Sequence, residues 1–116
     1  MSIAIKRVYD GYDAADGYRM LVDRLWPRGI KKEAAMLNEW NKIIAPSTEI
    51  RKWYGHVPEK FEAFAQKYAA ELDALPQEVE RLQKIAHTQK LTLLFSAKNK
   101  EYSQALVLQQ YLLKKK

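Results

Sequence analysis

Apolar and polar positions alternate over residues 3–9, IAIKRVY, where Ile3 and Ile5, followed by Val8 and Tyr9, predict a strand. Asp10-Gly11 and Asp16-Gly17 in the next stretch, DGYDAADGY, are turn dipeptides. YRMLVDRLW, residues 18–26, offers Met20, Val22 and Leu25 to a second strand. Pro27-Arg28-Gly29 ends it, because proline removes a donor and glycine permits a sharp redirection. Lys31 to Leu37 has the composition of a short helix, with Glu33, Ala34, Ala35 and Met36, while residues 38–44 fit helix and extended chain equally. Pro46 disfavours helix at Ala45, and Ser47 or Thr48 caps a short helix through Trp53 that Gly55 ends.

Pro58 suits a first helical turn. From there Phe61, Phe64, Ala65, Tyr68, Leu72 and Leu75 keep helical spacing, so residues 59–75 form the clearest amphipathic helix of the chain. Pro76 breaks it, and Val79, Leu82, Ile85 and Ala86 make the stripe of another helix to about His87. LTLLFSA, residues 91–97, is a nearly continuous apolar run of the kind found in strands covered on both faces. Asn99 caps a final helix over residues 100–113, with Ala105, Leu106, Leu108 and Leu112 facing inward.

The order β-β-α-α-α-β-α, with a buried strand before the last helix, predicts an α/β fold: a small, largely parallel sheet packed against several helices. No repeat or linker divides residues 1–116, which read as a single domain. In such sheets ligands bind outside the carboxyl ends of the strands. Three segments would converge there: Asp10 onward, Arg24 to Gly29, and Ser96 to Asn99.

Composition narrows the class without naming an activity. The chain has 116 residues, and 47% hydrophobic content with three Trp, seven Tyr and three Phe is enough for a core and too much for a disordered chain. The absence of cysteine excludes disulfides and thiolate chemistry. No apolar run approaches the roughly 18–20 residues of a membrane span, and the start MSIAIKRVYD does not read as a secretory signal, so a cytoplasmic protein without membrane contact is expected. The net charge is +6, spread as ten basic and seven acidic side chains in each half, with Lys114-Lys115-Lys116 as a solvated helix end. That balance admits an anionic partner but marks no dedicated basic module.

Three clusters could carry chemistry. In DRLWPRG, Asp23 to Gly29, Arg24 and Arg28 flank Trp26; guanidinium forks grip carboxylate or phosphate, and an indole stacks on a base. The plain alternative is that Asp23 and Arg24 pair internally and Trp26 is core. The second cluster is Lys42, Ser47, Arg51, Trp53, Tyr54 and His56, in which Ser47 at a helix start presents free N–H groups to an anion. Capping by Ser47 and packing by Trp40 and Trp53 are the plain readings, as is an idle loop position for His56. The third cluster is Ser96 to Tyr102, where Lys98 and Asn99 stand between strand and helix. There is no GxGxxG, GxxxxGK[ST], HExxH or GxSxG motif, and two histidines without cysteine argue against zinc. Asp10, Asp13 and Asp16 signal magnesium only weakly, so no metal and no cofactor is expected.

RVYD (7–10), LVDRLWPRG (21–29), W-x-K-x-x-A-P-S (40–47), EIRKWYGH (49–56), F-x-x-F-x-x-x-Y-x-x-E-L (61–72) and LTLLFSAK (91–98) together resemble the YeaO-like proteins, the bacterial family called domain of unknown function 488. The resemblance spans nearly the whole chain and implies an α/β fold but no established reaction. Similar proteins usually carry Ala-Lys-Asp and then His-Asn after the last strand, where this chain has Asn99 and then Tyr102-Ser103. The residues leave three readings open. In the first, Asp10, Arg24, Trp26, Arg28, Lys42, Ser47, Arg51, Trp53, Ser96, Lys98 and Asn99 bind a phosphorylated small molecule or nucleic acid. In the second, Ser47 or His56 serves a small hydrolase or transferase beside the same arginines. The third is a protein-partner module with no small-molecule site.

Overall fold

The computed structural model of the protein describes residues 1–115, and in it four strands run parallel. They are β1 (Ile3–Arg7), β2 (Tyr18–Leu21), β3 (Glu39–Trp40) and β4 (Leu91–Phe95), in the order β1-β4-β2-β3. Ile5 and Met20 both pair with Leu93, so Leu91 to Leu94 lie between two neighbouring strands, and all five β4 residues are buried. That burial explains why β4 is apolar throughout instead of alternating.

The helices are α1 (Lys32–Ala35), α2 (Thr48–Tyr54), α3 (Phe61–Asp73), α4 (Pro76–Thr88) and α5 (Gln104–Lys114). The register puts Met20, Leu91, Leu93 and Phe95 on one sheet face, and these pack with Tyr54, Phe64, Tyr68, Leu72, Leu82, Leu108 and Leu112 into the main core. On the other face Leu21 and Leu94 join Val8 in a small second core, roofed by Trp26, Ile30, Leu37 and Trp40 from the segment between β2 and β3. Beside it a polar network is folded in. Arg19, 1% exposed, donates to Asp16 and to the carbonyls of Ala35 and Met36, and Lys6 pairs with Asp16 at 3.0 Å. The α/β class read from the sequence is the observed one.

Several boundaries differ, each for a local reason. One strand and one helix more are present than in the order read from the sequence. The first strand stops at Arg7, and Val8–Asp10 curls into a 3-10 turn. The second ends at Leu21; Val22 still donates to the Leu94 carbonyl at 2.9 Å, but Leu25 is 61% exposed. The helix expected over 31–37 is a single turn, closed by Met36 in the left-handed region at φ 49°. The ambiguous stretch 38–44 contributes β3. Pro76 opens α4 instead of merely ending α3. Asn99 caps only a 3-10 turn, Lys100–Tyr102; the cap of α5 is Ser103, whose Oγ accepts from the Leu106 N–H, and Val107 is buried where Leu106 was expected. Of the C-terminal lysines, Lys114 ends α5 and Lys116 lies outside the described residues.

Candidate functional site

Chain segments leaving the carboxyl ends of β1, β2 and β4 enclose a cleft of about 340 Å³, closed on its remaining side by α2 and the start of α5. Its walls include Tyr9, the run Asp23 to Arg28, Pro46, Arg51, Tyr54, His56, Ser96 and Gln104. Of the three segments expected to converge, Arg24 to Arg28 and Ser96 to Ala97 line the cleft, joined by Tyr9 in place of Asp10, while Gly29, Lys98 and Asn99 are not in its lining. Arg7 helps to set the third wall, donating from Nε to the Ala97 carbonyl at 2.8 Å.

The cleft's charged groups have different fates. Arg24 donates to the carbonyls of Pro46 at 2.9 Å and Ala45 at 3.0 Å, which ties the loop after β2 to the chain ahead of α2. It pairs with no carboxylate among the described residues, so the internal Asp23–Arg24 ion pair does not form. Because β2 ends at Leu21, no strand alternation separates these two residues, and both reach the same cleft. Arg28 is exposed at the rim, where its carbonyl accepts from Tyr9 Oη at 2.9 Å. Arg51 is half-buried; its Nε is buried without a hydrogen-bond partner, and it forms no ion pair among the described residues. A buried donor left unpaired costs roughly 1–3 kcal/mol.

Asp23 faces Arg51 across the cleft floor and is 7% exposed. The Ser96 N–H donates to Oδ2 at 3.0 Å and the Gln104 amide to Oδ1. Burial pushes the Asp23 carboxyl above its ordinary range, against the opposing pull of Ser96, Gln104 and Arg51. Neither Asp23 as a ligand-facing acceptor nor Gln104 stood among the expected binding residues. An acidic residue before DRLWPRG's arginines is a visible cue, but its partner Gln104 stands 81 residues away.

Other expected residues fall elsewhere. Trp26 lines the cleft, but its indole N–H donates to the Ile30 carbonyl and its ring meets Trp40 edge-on, so it is also a wall of the second core. Lys42 lies over the Trp40 ring, and Trp53 sits between Lys60 and Lys67; both are outside the cleft. Ser47 Oγ is spent as the cap of α2, its own N–H donates to Glu71 Oε1 at 2.9 Å, and Ser47 is not among the residues lining the cleft. Lys98 and Asn99 border a neighbouring depression that shares His56, Ser96 and Ala97 with the cleft. His56 is exposed at φ 59°, just after Gly55 closes α2. At the positions that depart from similar proteins, Tyr102 packs edge-on against Phe61 while its carbonyl accepts from Tyr54, and Ser103 is a buried cap. No group of three metal-ligating side chains occurs among the described residues, nor does a helix long and apolar enough to cross a membrane.

Residues 2–116 match a family whose description reads "Inactive DUF488-N3 subclade". The chain is similar to the uncharacterized protein YeaO of Escherichia coli, with 54% identity over 113 residues that cover 97% of each chain. It is also 49% identical over 70 residues to an uncharacterized protein of Mycobacterium tuberculosis, covering 60% of this chain and 59% of that one. No solved structure matches it.

Proposed function

The chain belongs to the DUF488 family, in the subclade described as inactive, and from that premise we propose that its cleft binds a small phosphorylated ligand without reacting with it. The observation that carries this reading is Arg51: a half-buried guanidinium at a concave site, in no ion pair among the described residues and with a buried Nε left unpaired. An anion entering beside it would gain a charge-assisted hydrogen bond that the free protein lacks. Arg28 at the rim adds a second, exposed positive charge, while Arg24 holds the wall. A volume of about 340 Å³ lies at the small end of ligand sites, and Lys42 and Trp53 lie outside it, which favours a small molecule over a nucleic-acid strand. Chemistry through Ser47 is disfavoured because its Oγ is committed to the cap of α2.

Titration of the isotope-labelled protein with phenyl phosphate at about pH 5, where the monoester keeps one proton, followed by amide NMR shifts, tests the reading. Saturable shifts are expected at Trp26, Arg51 and Ser96, weakened roughly tenfold or more in Arg51→Met. A single-stranded oligonucleotide at low salt is expected to give no tighter binding than phenyl phosphate. The absence of saturable shifts at these residues would sink the proposal.

A further inference from the structure

This cleft is lined by a carboxyl group, Asp23, which a site for anions would ordinarily avoid. We propose that Asp23 makes the cleft selective for phosphoryl groups that still carry a proton and rejects fully ionised oxyanions such as sulfate. The inference rests on the anion reading of the cleft and adds to it the class of anion accepted.

An ionised carboxylate accepts hydrogen bonds and donates none, and its two oxygens offer about four lone-pair positions. The Ser96 N–H and the Gln104 amide occupy one position on each Asp23 oxygen. Those two donors fix the carboxylate's orientation and leave acceptor capacity on a residue that forms part of the cleft wall. A hydrogen phosphate can place its charged oxygens toward Arg51 and Arg28 and donate its P–OH to Asp23. Sulfate has nearly the same size and shape but carries no proton near neutral pH. It would meet Asp23 with an oxygen lone pair, so that like charges face each other in a partly desolvated site. The groups around Asp23 set the balance: Arg51 from α2 and Arg24 from its own segment are positive, Tyr68 from α3 and Gln104 from α5 are neutral, and His56 stands at the cleft edge. Arg51 and Arg24 more than offset the Asp23 charge, so what excludes sulfate is the mismatch at Asp23 itself, which only an oxyanion with a proton attached can meet as a donor. Sites built around a buried polar partner reject analogues that lack the matching group far more strongly than apolar pockets do.

Calorimetric titration of the full chain with inorganic phosphate and with sulfate, at neutral pH and matched ionic strength, tests this directly, because phosphate keeps a proton there and sulfate does not. Phosphate is expected to bind tighter by roughly tenfold or more. Asp23→Asn, in which the side-chain amide can donate to either anion and Gln104 can turn to present its oxygen, is expected to bring the two within about threefold, chiefly by admitting sulfate. Equal affinities in the unchanged protein would overturn the selectivity while leaving the anion cleft standing. Binding of neither anion would overturn both. The wild-type comparison alone decides the matter if Asp23→Asn does not fold.

Discussion

Three arginines within one cleft show how little residue type says about role. Arg24 satisfies two backbone carbonyls, Arg28 reaches solvent, and Arg51 is half-buried with its Nε unpaired. Arg24→Ala strips the donors from the carbonyls of Ala45 and Pro46 and is expected to cost about 1–3 kcal/mol in urea denaturation. That is less than the roughly 3–5 kcal/mol that breaking a buried ion pair would cost. Arg28→Ala should stay within about 0.5 kcal/mol of the parent and lower phosphate affinity. Equal and large stability losses for both variants, with phosphate affinity unchanged, would make these arginines scaffold. The full penalty belongs instead to Asp16. Asp16→Ala leaves Arg19 buried and unpaired beside Lys6, and a loss of roughly 3–5 kcal/mol is expected from the same measurement.

At the scale of elements, the join between β4 and α5 decides whether Ser96 and Gln104 arrive at Asp23. Ser103, fully buried, caps α5 through the Leu106 N–H, whereas Asn99 caps only the preceding turn. Ser103→Ala is therefore expected to cost about 1–2 kcal/mol and Asn99→Ala a smaller amount, read from thermal unfolding. Gly17 controls the entry to β2: it sits at φ 68°, and a Cβ there would collide with the Lys90 carbonyl, so Gly17→Ala should lose at least about 1–3 kcal/mol from backbone strain alone. The main elements were legible because their signals are local. The uninterrupted apolar run marks β4 as the central strand, the spacing from Phe61 to Leu72 marks α3, and the carboxyl-end rule then places the cleft. What escaped depends on long-range partners. Nothing near Arg24 announces that its acceptors are carbonyls 21 and 22 residues on, nothing near Asp23 points to Gln104, and β3 exists only because Glu39 and Trp40 meet Met20 and Leu21. Nor does anything near Ser47 announce that its N–H is taken by Glu71, which belongs to α3.

Across the whole molecule, the buried carboxylates pull the pH dependence of stability in opposite directions. For Asp16, burial raises the pKa, but the Lys6 ammonium, the Asp13 N–H and Arg19 outweigh it and hold the carboxyl below its ordinary value. Glu78 is held low by Arg81, against burial and with help from Asn41. Both contribute stability that is present above the unfolded pKa values of about 3.9 and 4.3 and is lost as pH falls through the lower folded ones. Asp23 has the reverse sign: its folded pKa is raised, so the native state holds the proton more tightly and stability is lost as pH rises from the unfolded value through the folded one. Urea midpoints are therefore expected to rise as pH is lowered through the raised folded pKa of Asp23, and to fall as pH drops below about 4. Asp23→Asn should flatten the first limb and keep the second, while Asp16→Asn should do the opposite. A profile whose upper limb persists in Asp23→Asn would assign that limb to another group and remove the cleft-floor carboxylate as its origin. The slope at mildly acid pH thus reports on the same side chain that, at the floor of the cleft, is set to sort one oxyanion from another.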